Sequence, residues 1–290
     1  MKKNGGVLPQ PVAAKRGKPT REQSFPPGGL EAVDALWSEV EAISPNRMDA
    51  ALATLAAGLR GLFRADNVHW MAAVRVLPPR QNRRDSLRGW RLRASYDLVP
   101  DPPEYRDFIA WWFQSHNRVD PDFQIGLATQ AMIAGAGKFR VHRMRDGWIP
   151  FAKFRSSEHY RLHYTELGIT DRIWVGIPLN ASAESVFLID RCGGARFTES
   201  DAGLAEVFFR RSRGFQRKLL LNHGLLIAER PLSPVGRRVL ERLLSGSPEK
   251  EIAVALKQTP ATVHKYVKTI YEQFGVNSRA ALMALWLGEG

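Results

Sequence analysis

The C-terminal part of the chain carries apolar residues at helical spacing in four short segments. A serine or threonine that can cap a helix N-terminus precedes each segment, and in the first three segments a proline follows this residue. The four capping residues are Ser233, Ser247, Thr259 and Ser278. Gly246 and Gly275 are typical of helix ends. The pattern therefore predicts four short helices at the end of the chain.

The third predicted helix has two different faces. Its apolar stripe consists of Val263, Val267, Ile270 and Phe274. Ala261, Lys265 and Lys268 lie on the opposite face, and His264 lies on its flank. Only residues 257–259 separate this helix from the previous one, which is the spacing of a helix-turn-helix, whose second helix enters the DNA major groove. From the charge pattern alone, an ordinary solvated helix face is the alternative interpretation.

Residues 232–287 resemble the DNA-binding domain of LuxR-type regulators. The matching motifs are LSP at Leu232, EIA at Glu251, TV at Thr262, IY at Ile270, FGV at Phe274 and SRAAL at Ser278. The predicted DNA-contacting residues are Thr262, His264, Lys265, Tyr266 and Lys268. The resemblance implies that the histidine and the two lysines read bases, and we expect the two hydroxyls to contact phosphate. The fourth helix falls where the family pairs protomers, which makes Leu282 and Trp286 predicted dimer contacts.

Two positions of this domain depart from the LuxR-type pattern. Lys257 stands where the family usually has a turn glycine. If the backbone there needs a positive φ, lysine costs on the order of 1 kcal/mol more than glycine. Tyr266 stands where the family usually has histidine. Neither residue threatens the predicted fold, but both leave the DNA sequence that is read open.

The region from Leu30 to about Leu221 mixes helical and strand-like patterns. Helical patterns occur near residues 30–43, 48–64, 105–115, 156–167 and 199–221. Strand-like runs occur at residues 68–77, 90–99, 172–180 and 185–191. Antiparallel strand pairs with helices at both ends predict an α+β fold, in which an α/β/α sensor sandwich of the GAF or PAS kind precedes the four-helix domain.

Three segments of this region are similar to the sensor domains that precede LuxR-type DNA-binding domains, both the GAF-like and the acyl-homoserine-lactone-binding kinds. They are HYRLHYTELGITDRIWVGIPL, SVFLIDR and RFTESD. RVDPDF, at residues 118–123, is similar to the Asp-Pro of the lactone binders, whose Asp accepts a hydrogen bond from the ligand amide. The aromatic spacing of those proteins is not found around Asp120. A turn or helix-capping role is the alternative for this aspartate.

Aromatic residues of the sensor region are candidates to enclose a small ligand, since Trp and Tyr combine an apolar body with one polar group. The candidate ligand contacts are Trp70, Tyr105, Trp111, Asp120 and Trp174. Packing in an ordinary core is the alternative for each aromatic residue. The sequence therefore predicts an apolar cavity under the sheet, without identifying the ligand.

The composition favours a polyanionic partner, because the formal net charge is +13. Residues 1–29 carry six Lys or Arg and one Glu among many Pro and Gly residues, which predicts a disordered basic arm. The single cysteine excludes a disulfide framework and indicates a reducing compartment. With neither a secretory signal nor an apolar run of membrane-spanning length, the sequence predicts a cytoplasmic location.

An enzyme is not expected from this sequence. His159 and His163 have a spacing that can hold a metal from one helix, but the sequence shows no third ligand, so two histidines on a solvated helix face are the preferred interpretation. Cys192 has no nearby histidine to activate it. No phosphate-binding glycine motif is complete. We therefore predict no metal and no cofactor.

The predicted organisation is an arm at residues 1–29, a sensor domain at 30–221, a linker at 222–231 and a DNA-binding domain at 232–290. The predicted function is transcriptional regulation of LuxR type, in which the N-terminal domain senses a small molecule or a protein partner. Quorum sensing is one function that this prediction includes. The expected partners are double-stranded DNA, RNA polymerase and a second copy of the chain. A sigma-factor-like module and a protein-interaction module without operator readout are the alternatives.

Overall fold

The computed structural model describes residues 25, 28–76, 85–100, 102–103 and 125–288. Most of the predicted basic arm, the helix predicted near residues 105–115 and three candidate ligand contacts lie outside these ranges. Those contacts are Tyr105, Trp111 and Asp120. No helix within the described ranges combines the length and the apolar composition that a membrane span requires.

The N-terminal part combines helices with five strands. Its helices are α1 (Gly29–Glu41), α2 (Met48–Leu62), α3 (Leu127–Ala134), α4 (Phe151–Arg155), α5 (Glu158–Tyr160), α6 (Glu199–Arg210) and α7 (Arg213–Asn222). A π-helical turn at Arg161–Thr165 continues α5. Its strands are β1 (Asn67–Arg75), β2 (Trp90–Asp97), β3 (Arg140–Arg143), β4 (Ile169–Asn180) and β5 (Ala183–Cys192).

The strands form one antiparallel sheet in the order β2-β1-β5-β4-β3. The turn between β4 and β5 is tight, because the Ser182 backbone N–H donates to the Asn180 side chain over 2.8 Å. Ala183 already belongs to β5, two residues before the start that the sequence predicts. This hairpin places the long, buried β4 and β5 in the middle of the sheet.

The main hydrophobic core lies between one face of the sheet and helices α1, α2, α6 and α7. Trp70 and Phe187 from the strands, and Leu55 and Phe208 from the helices, are fully buried in it. A smaller core, which includes Phe154, lies on the other face under α3 to α5. Each face of the sheet thus carries its own apolar layer, as the alternation along β1 requires. The predicted α+β fold, with an antiparallel sheet between helices, is confirmed.

The C-terminal part consists of α8 (Pro234–Leu244), α9 (Glu249–Leu256), α10 (Pro260–Phe274) and α11 (Arg279–Leu287). Ser233, Thr259 and Ser278 cap α8, α10 and α11 through their side-chain oxygens, as predicted. The start of α9 differs, because Pro248 rather than Ser247 occupies the N-cap and no side chain caps this end. The four-helix arrangement that the sequence predicts is confirmed.

The segment between the two parts packs closely against α2. Asn222, His223 and Leu225 are 3%, 5% and 1% exposed, although the sequence predicts a linker here. The Asn222 side chain donates to Asp49 on α2 over 2.7 Å. Arg237, on α8, lies 3.3 Å from the other oxygen of the same carboxylate. Asp49 therefore joins α2 to the end of α7 and to the helical domain.

Candidate DNA interface and ligand cavity

The turn before α10 has the backbone that a helix-turn-helix needs. Lys257 ends α9 in the left-handed region, with φ 53° and ψ 45°. The next amide, of Gln258, donates to the Ala253 carbonyl over 2.9 Å and closes the end of α9. Thr259 then caps α10 by accepting the Thr262 N–H over 3.1 Å. Lys257 therefore meets the condition under which lysine costs about 1 kcal/mol more than glycine, because its φ is positive.

Helix α10 buries one face and exposes the other. The buried stripe consists of Val263, Val267, Ile270 and Phe274, each at most 4% exposed. The predicted base-reading residues His264, Lys265 and Lys268 are all exposed. Ala261 is also exposed, so the first two turns present a narrow surface with two lysines. Its dimensions and charge fit a major groove, which admits a single helix.

The exposed basic side chains of α10 make only weak contacts with neighbouring acids. His264 Nδ1 lies 3.2 Å from a Glu249 carboxylate oxygen, and Lys268 Nζ lies 3.9 Å from one of Glu272. Exposed pairs of this kind contribute about 0–1 kcal/mol, since water and salt screen them. A phosphate or base acceptor can therefore replace the glutamates at little cost. For Lys265 the described part of the chain provides no ion pair.

The two predicted phosphate-contacting hydroxyls lie in different surroundings. Thr262 Oγ1 is 2.8 Å from Thr259 Oγ1, so this hydroxyl belongs to the helix cap. Tyr266 is half-buried and its ring packs against the core of the helical domain. The tyrosine ring is thus held by neighbouring apolar groups, whereas Thr262 sits at the N-terminus of the helix, where backbone N–H groups favour an anion.

The predicted dimer contacts require a correction. Leu282 and Trp286 are 1% and 5% exposed, because both side chains pack inside the core of their own protomer. They cannot form a surface contact in this conformation. The exposed large apolar residues of α11 are Met283 and Leu287, at 39% and 68%. Helical spacing identified the apolar residues of α11. It did not show which of them face the protomer's own core.

The two tryptophans predicted as ligand contacts lie on opposite faces of the sheet. Trp70 is on the face of the main core, where its Nε1 donates to Ser185 Oγ over 2.5 Å. Trp174 lines a cavity on the other face. Trp70 is therefore a core residue rather than a ligand contact. The parity of each residue along its strand decides the face, since successive side chains point in opposite directions.

The cavity beside Trp174 has a volume of about 230 Å³. Strands β1, β2, β4 and β5 form its floor, and α3 with the turn after α5 forms its roof. Apolar side chains such as Met71, Met132 and Leu188 supply much of the wall. The predicted cavity under the sheet is thus present, on the face opposite the main core.

A buried ionic cluster forms one side of this cavity. Asp190 is fully buried and pairs with Arg172, with its Oδ2 2.6 Å from Arg172 Nη2. His69 lies between two carboxylates, 2.6 Å from Asp97 and 3.0 Å from Asp190. Arg172 Nη1 also donates to the Tyr164 hydroxyl over 3.2 Å. Two cations and two carboxylates thus balance one another inside the protein.

The pairing shifts the pKa values of the cluster. Burial opposes the charge on His69, but the hydrogen bonds with Asp190 and Asp97 outweigh burial and raise the pKa of the imidazole to about 9. Burial likewise opposes the charge on Asp190, yet Arg172 and His69 lower the pKa of its carboxyl to about 2. Burial raises the pKa of the Tyr164 hydroxyl to about 12. At neutral pH the cluster is therefore charged and internally neutralised.

Sequence reasoning missed this cluster, whose members come from distant parts of the chain. His69 and Asp190 are 121 positions apart, on β1 and β5. The available signal was local: Asp190 ends the apolar run SVFLI and Arg172 begins the apolar run IWVGI. Charged residues at the ends of buried strands need partners, so these two positions indicate ion pairs that the sequence analysis did not identify. Which strands provide the partners depends on the order of the sheet.

His159 and His163 line the cavity and are partly buried, rather than lying on a solvated helix face as the sequence suggests. His159 and His163 lie together, with ring centroids 4.3 Å apart. Burial, and then the charge of Arg172, lower the pKa of His159 to about 4. Within the described ranges no three metal-binding side chains converge. Burial also raises the pKa of the Cys192 thiol, which opposes formation of a nucleophilic thiolate.

Comparison with known proteins identifies the helical domain. Residues 230–286 match the family described as "Bacterial regulatory proteins, luxR family". The chain is 42% identical over 57 residues to the "Probable HTH-type transcriptional regulator GfsR" of Streptomyces halstedii. This match covers 20% of the chain and 24% of the relative, so it spans about a quarter of that protein's length.

Two solved structures align over more of the chain. The ligand-binding domain of VqsR from Pseudomonas aeruginosa covers 66% of this chain and 96% of its own, with 14% identity and a TM-score of 0.39. SdiA of Escherichia coli covers 90% of this chain and 98% of its own, with 14% identity and a TM-score of 0.40.

Proposed function

We propose that this chain, whose residues 230–286 belong to the luxR family of bacterial regulatory proteins, is a sequence-specific DNA-binding transcriptional regulator. The observation that carries the proposal is the exposed basic face of α10. The opposite face of this helix is a buried apolar stripe, and the helix is the second helix of a helix-turn-helix. The left-handed Lys257 preserves the turn that orients this face. The alternative of a module without DNA readout has no such feature in its favour.

In the complex, α10 lies in the major groove and its first two turns contact the bases. Lys265 and Lys268 donate to guanine acceptors, and His264 contacts a base from the flank of the helix. Thr262 and the N-terminal N–H groups of α10 hold a phosphate, with Tyr266 contacting the backbone beside them. Base contacts supply the discrimination, and phosphate contacts supply affinity that falls with salt.

Two protomers bind neighbouring half-sites as a homodimer. Met283 and Leu287 are the exposed apolar residues of α11 and form the contact between protomers. Leu282 and Trp286 support this surface from inside each protomer. A two-fold dimer of helix-turn-helix domains reads half-sites about 34 Å apart, which is one turn of the duplex. Bound there, it recruits or blocks RNA polymerase in the bacterial cytoplasm.

The cavity is the site at which an effector controls DNA binding. His69 lines the cavity, and the next residue, Trp70, packs on the opposite face against His223 in the connecting segment. A ligand that shifts β1 therefore acts on the segment that positions the helical domain. Arg237 of the helical domain also contacts Asp49 of α2. A change in the sensor part therefore acts on the helical domain through this contact as well.

Selection of bound duplexes from a random DNA pool tests this function. The full chain should enrich one sequence with two-fold symmetry and half-sites about one helical turn apart. The matched control is a variant with Lys265→Ala and Lys268→Ala, which should enrich no sequence. A wild-type chain that enriches no sequence, with and without cell metabolites, would contradict the proposal.

A further inference from the structure

The last turn of α10 holds the connecting segment, residues 223–231. Gln273 Nε2 donates to the Arg230 carbonyl over 2.5 Å and to the Gly224 carbonyl over 3.4 Å. Gly224 has a φ of 75°, and a Cβ at this position would collide with the Gln273 amide, so the close approach requires glycine. The backbone at Arg230 is therefore fixed against the helix that carries the predicted base-reading residues.

A row of side chains joins this contact to the DNA-facing surface of α10. Lys265, Thr269 and Gln273 are spaced by four residues, so they follow one another along the helix surface. Lys265 and Thr269 are exposed, and Gln273 is half-buried. From Lys265 to Gln273 the helix rises by roughly 12 Å, and the row turns by roughly 80° toward one flank of the helix. The row therefore leads from the predicted base-reading face to Arg230.

The flank of a helix in the major groove faces the wall of that groove. The groove is about 12 Å wide, and the sugar-phosphate backbones form its two edges. A helix seated in it with Lys265 against the bases brings the far end of the row to one of these edges. Arg230 lies at this end, because its carbonyl is bonded to Gln273. The docking geometry thus places an arginine beside backbone phosphates.

The charge around Arg230 favours an anion. Its side chain is exposed, and none of the ion pairs that the described residues form includes it. Burial, and then the charges of Arg91 and Arg230, lower the pKa of the Arg93 guanidinium on β2. Glu229 acts in the opposite direction. Arg93 is therefore close enough to Arg230 for their charges to interact, and a phosphate relieves the repulsion between them.

We propose that the connecting segment is itself a DNA contact, in which Arg230 binds a backbone phosphate at the edge of the groove that α10 occupies. Gln273 is a positioning residue, because it holds the Arg230 carbonyl. The inference rests on the proposed function, since it takes α10 as the helix in the major groove. The same segment begins at His223, which packs against Trp70 of the sheet. A shift of the sheet therefore changes DNA affinity directly, through a phosphate contact.

The salt dependence of DNA binding tests this contact on the full chain. Fluorescence anisotropy gives the dissociation constants for the duplex selected from the random pool and for a scrambled duplex over a range of KCl concentrations. Arg230→Ala should weaken binding to both duplexes roughly fivefold at about 150 mM salt. It should also lower the slope of log affinity against log salt by about 0.9, because one phosphate contact fewer releases fewer counterions. Arg230→Lys keeps the charge and should retain most of the affinity and the slope.

Two further variants separate position from charge. Arg155→Ala is the matched control, because it removes an exposed arginine from α4 of the sensor part. This control should leave both the affinity and the slope unchanged. Gln273→Leu removes no charge but releases the Arg230 carbonyl, so it should weaken binding to both duplexes about two- to threefold. In the Gln273→Leu background, Arg230→Ala should cost less than in wild type, because the two residues act through one contact.

Several results would overturn the inference. An unchanged affinity and slope in Arg230→Ala would exclude the phosphate contact, and loss on the selected duplex alone would make Arg230 a base contact. An equal loss in Arg155→Ala would reduce the effect to net charge. Strict additivity of Gln273→Leu and Arg230→Ala would remove the positioning role. Each of these results leaves duplex selection by the wild-type chain intact, whereas failure of the proposed function would abolish it.

Discussion

Trp70 packs against His223 with ring centroids 4.9 Å apart. Trp70 is fully buried on β1, and His223 ends α7 at the start of the connecting segment. The backbone carbonyl of His223 accepts the Leu232 N–H over 2.8 Å, which turns the chain toward α8. This ring contact therefore links the sheet of the sensor part to the entry of the helical domain.

The acid stability of the protein depends in part on His223. Burial, then the charge of Arg237, lower the pKa of its imidazole to about 4, against 6.5 for an exposed histidine. The unfolded chain therefore binds a proton between pH 6.5 and pH 4 that the folded chain does not. Stability should fall over this window by on the order of 3 kcal/mol from this group. Urea unfolding of wild type and His223→Gln checks this, and an equally steep acid decline in both would contradict it.

The stability of the protein at alkaline pH depends in part on His69, whose pKa is shifted in the opposite direction to that of His223. Its pKa is raised from 6.5 to about 9, so the folded chain holds a proton that the unfolded chain loses. The stabilisation is full below pH 6.5 and should disappear as the pH rises to 9, again on the order of 3 kcal/mol. Titration of the imidazole by NMR measures the pKa directly. A midpoint near 6.5 would show that Asp97 and Asp190 do not hold the proton.

The turn lysine should limit the stability of the helical domain. Lys257→Gly is expected to stabilise the chain by about 1 kcal/mol, because glycine adopts the left-handed conformation without steric cost. Ala255→Gly is the matched control inside α9, and it should destabilise by about 1 kcal/mol. Urea unfolding compares the two variants. Destabilisation by both would show that Lys257 is not strained in the turn.

The two kinds of apolar residue in α11 should respond differently to substitution. Leu287→Glu changes an exposed side chain, so it should weaken dimer formation and leave stability within about 0.5 kcal/mol. Leu282→Ala opens a cavity in the protomer's core and should cost about 2–5 kcal/mol of stability. Sedimentation equilibrium and urea unfolding measure the two effects. An unchanged dimer in Leu287→Glu would place the protomer contact elsewhere.

Local sequence patterns predicted the helices of the C-terminal domain well. They did not predict which side chains face a core, a cavity or the surface, because non-local packing decides this. Thr259, as a helix cap, and Val263, in the buried stripe, depend only on near neighbours, so sequence spacing was sufficient. Whether Leu282 faces its own core or a partner depends on how α11 packs, which spacing does not give. Trp70 and Trp174 are alike in sequence terms, yet strand parity and sheet order place only Trp174 in the cavity.

The central claim is that the exposed face of α10 reads bases. The most direct measurement is the ratio of dissociation constants for the selected duplex and for a scrambled duplex, at fixed salt, in wild type and two double variants. Lys265→Ala with Lys268→Ala should cost roughly 1–3 kcal/mol per lysine on the selected duplex only, so the ratio collapses. Lys138→Ala with Lys153→Ala, which removes the same charge from exposed sensor positions, should leave the ratio intact. Equal loss on both duplexes in the α10 variant would contradict base reading by these lysines.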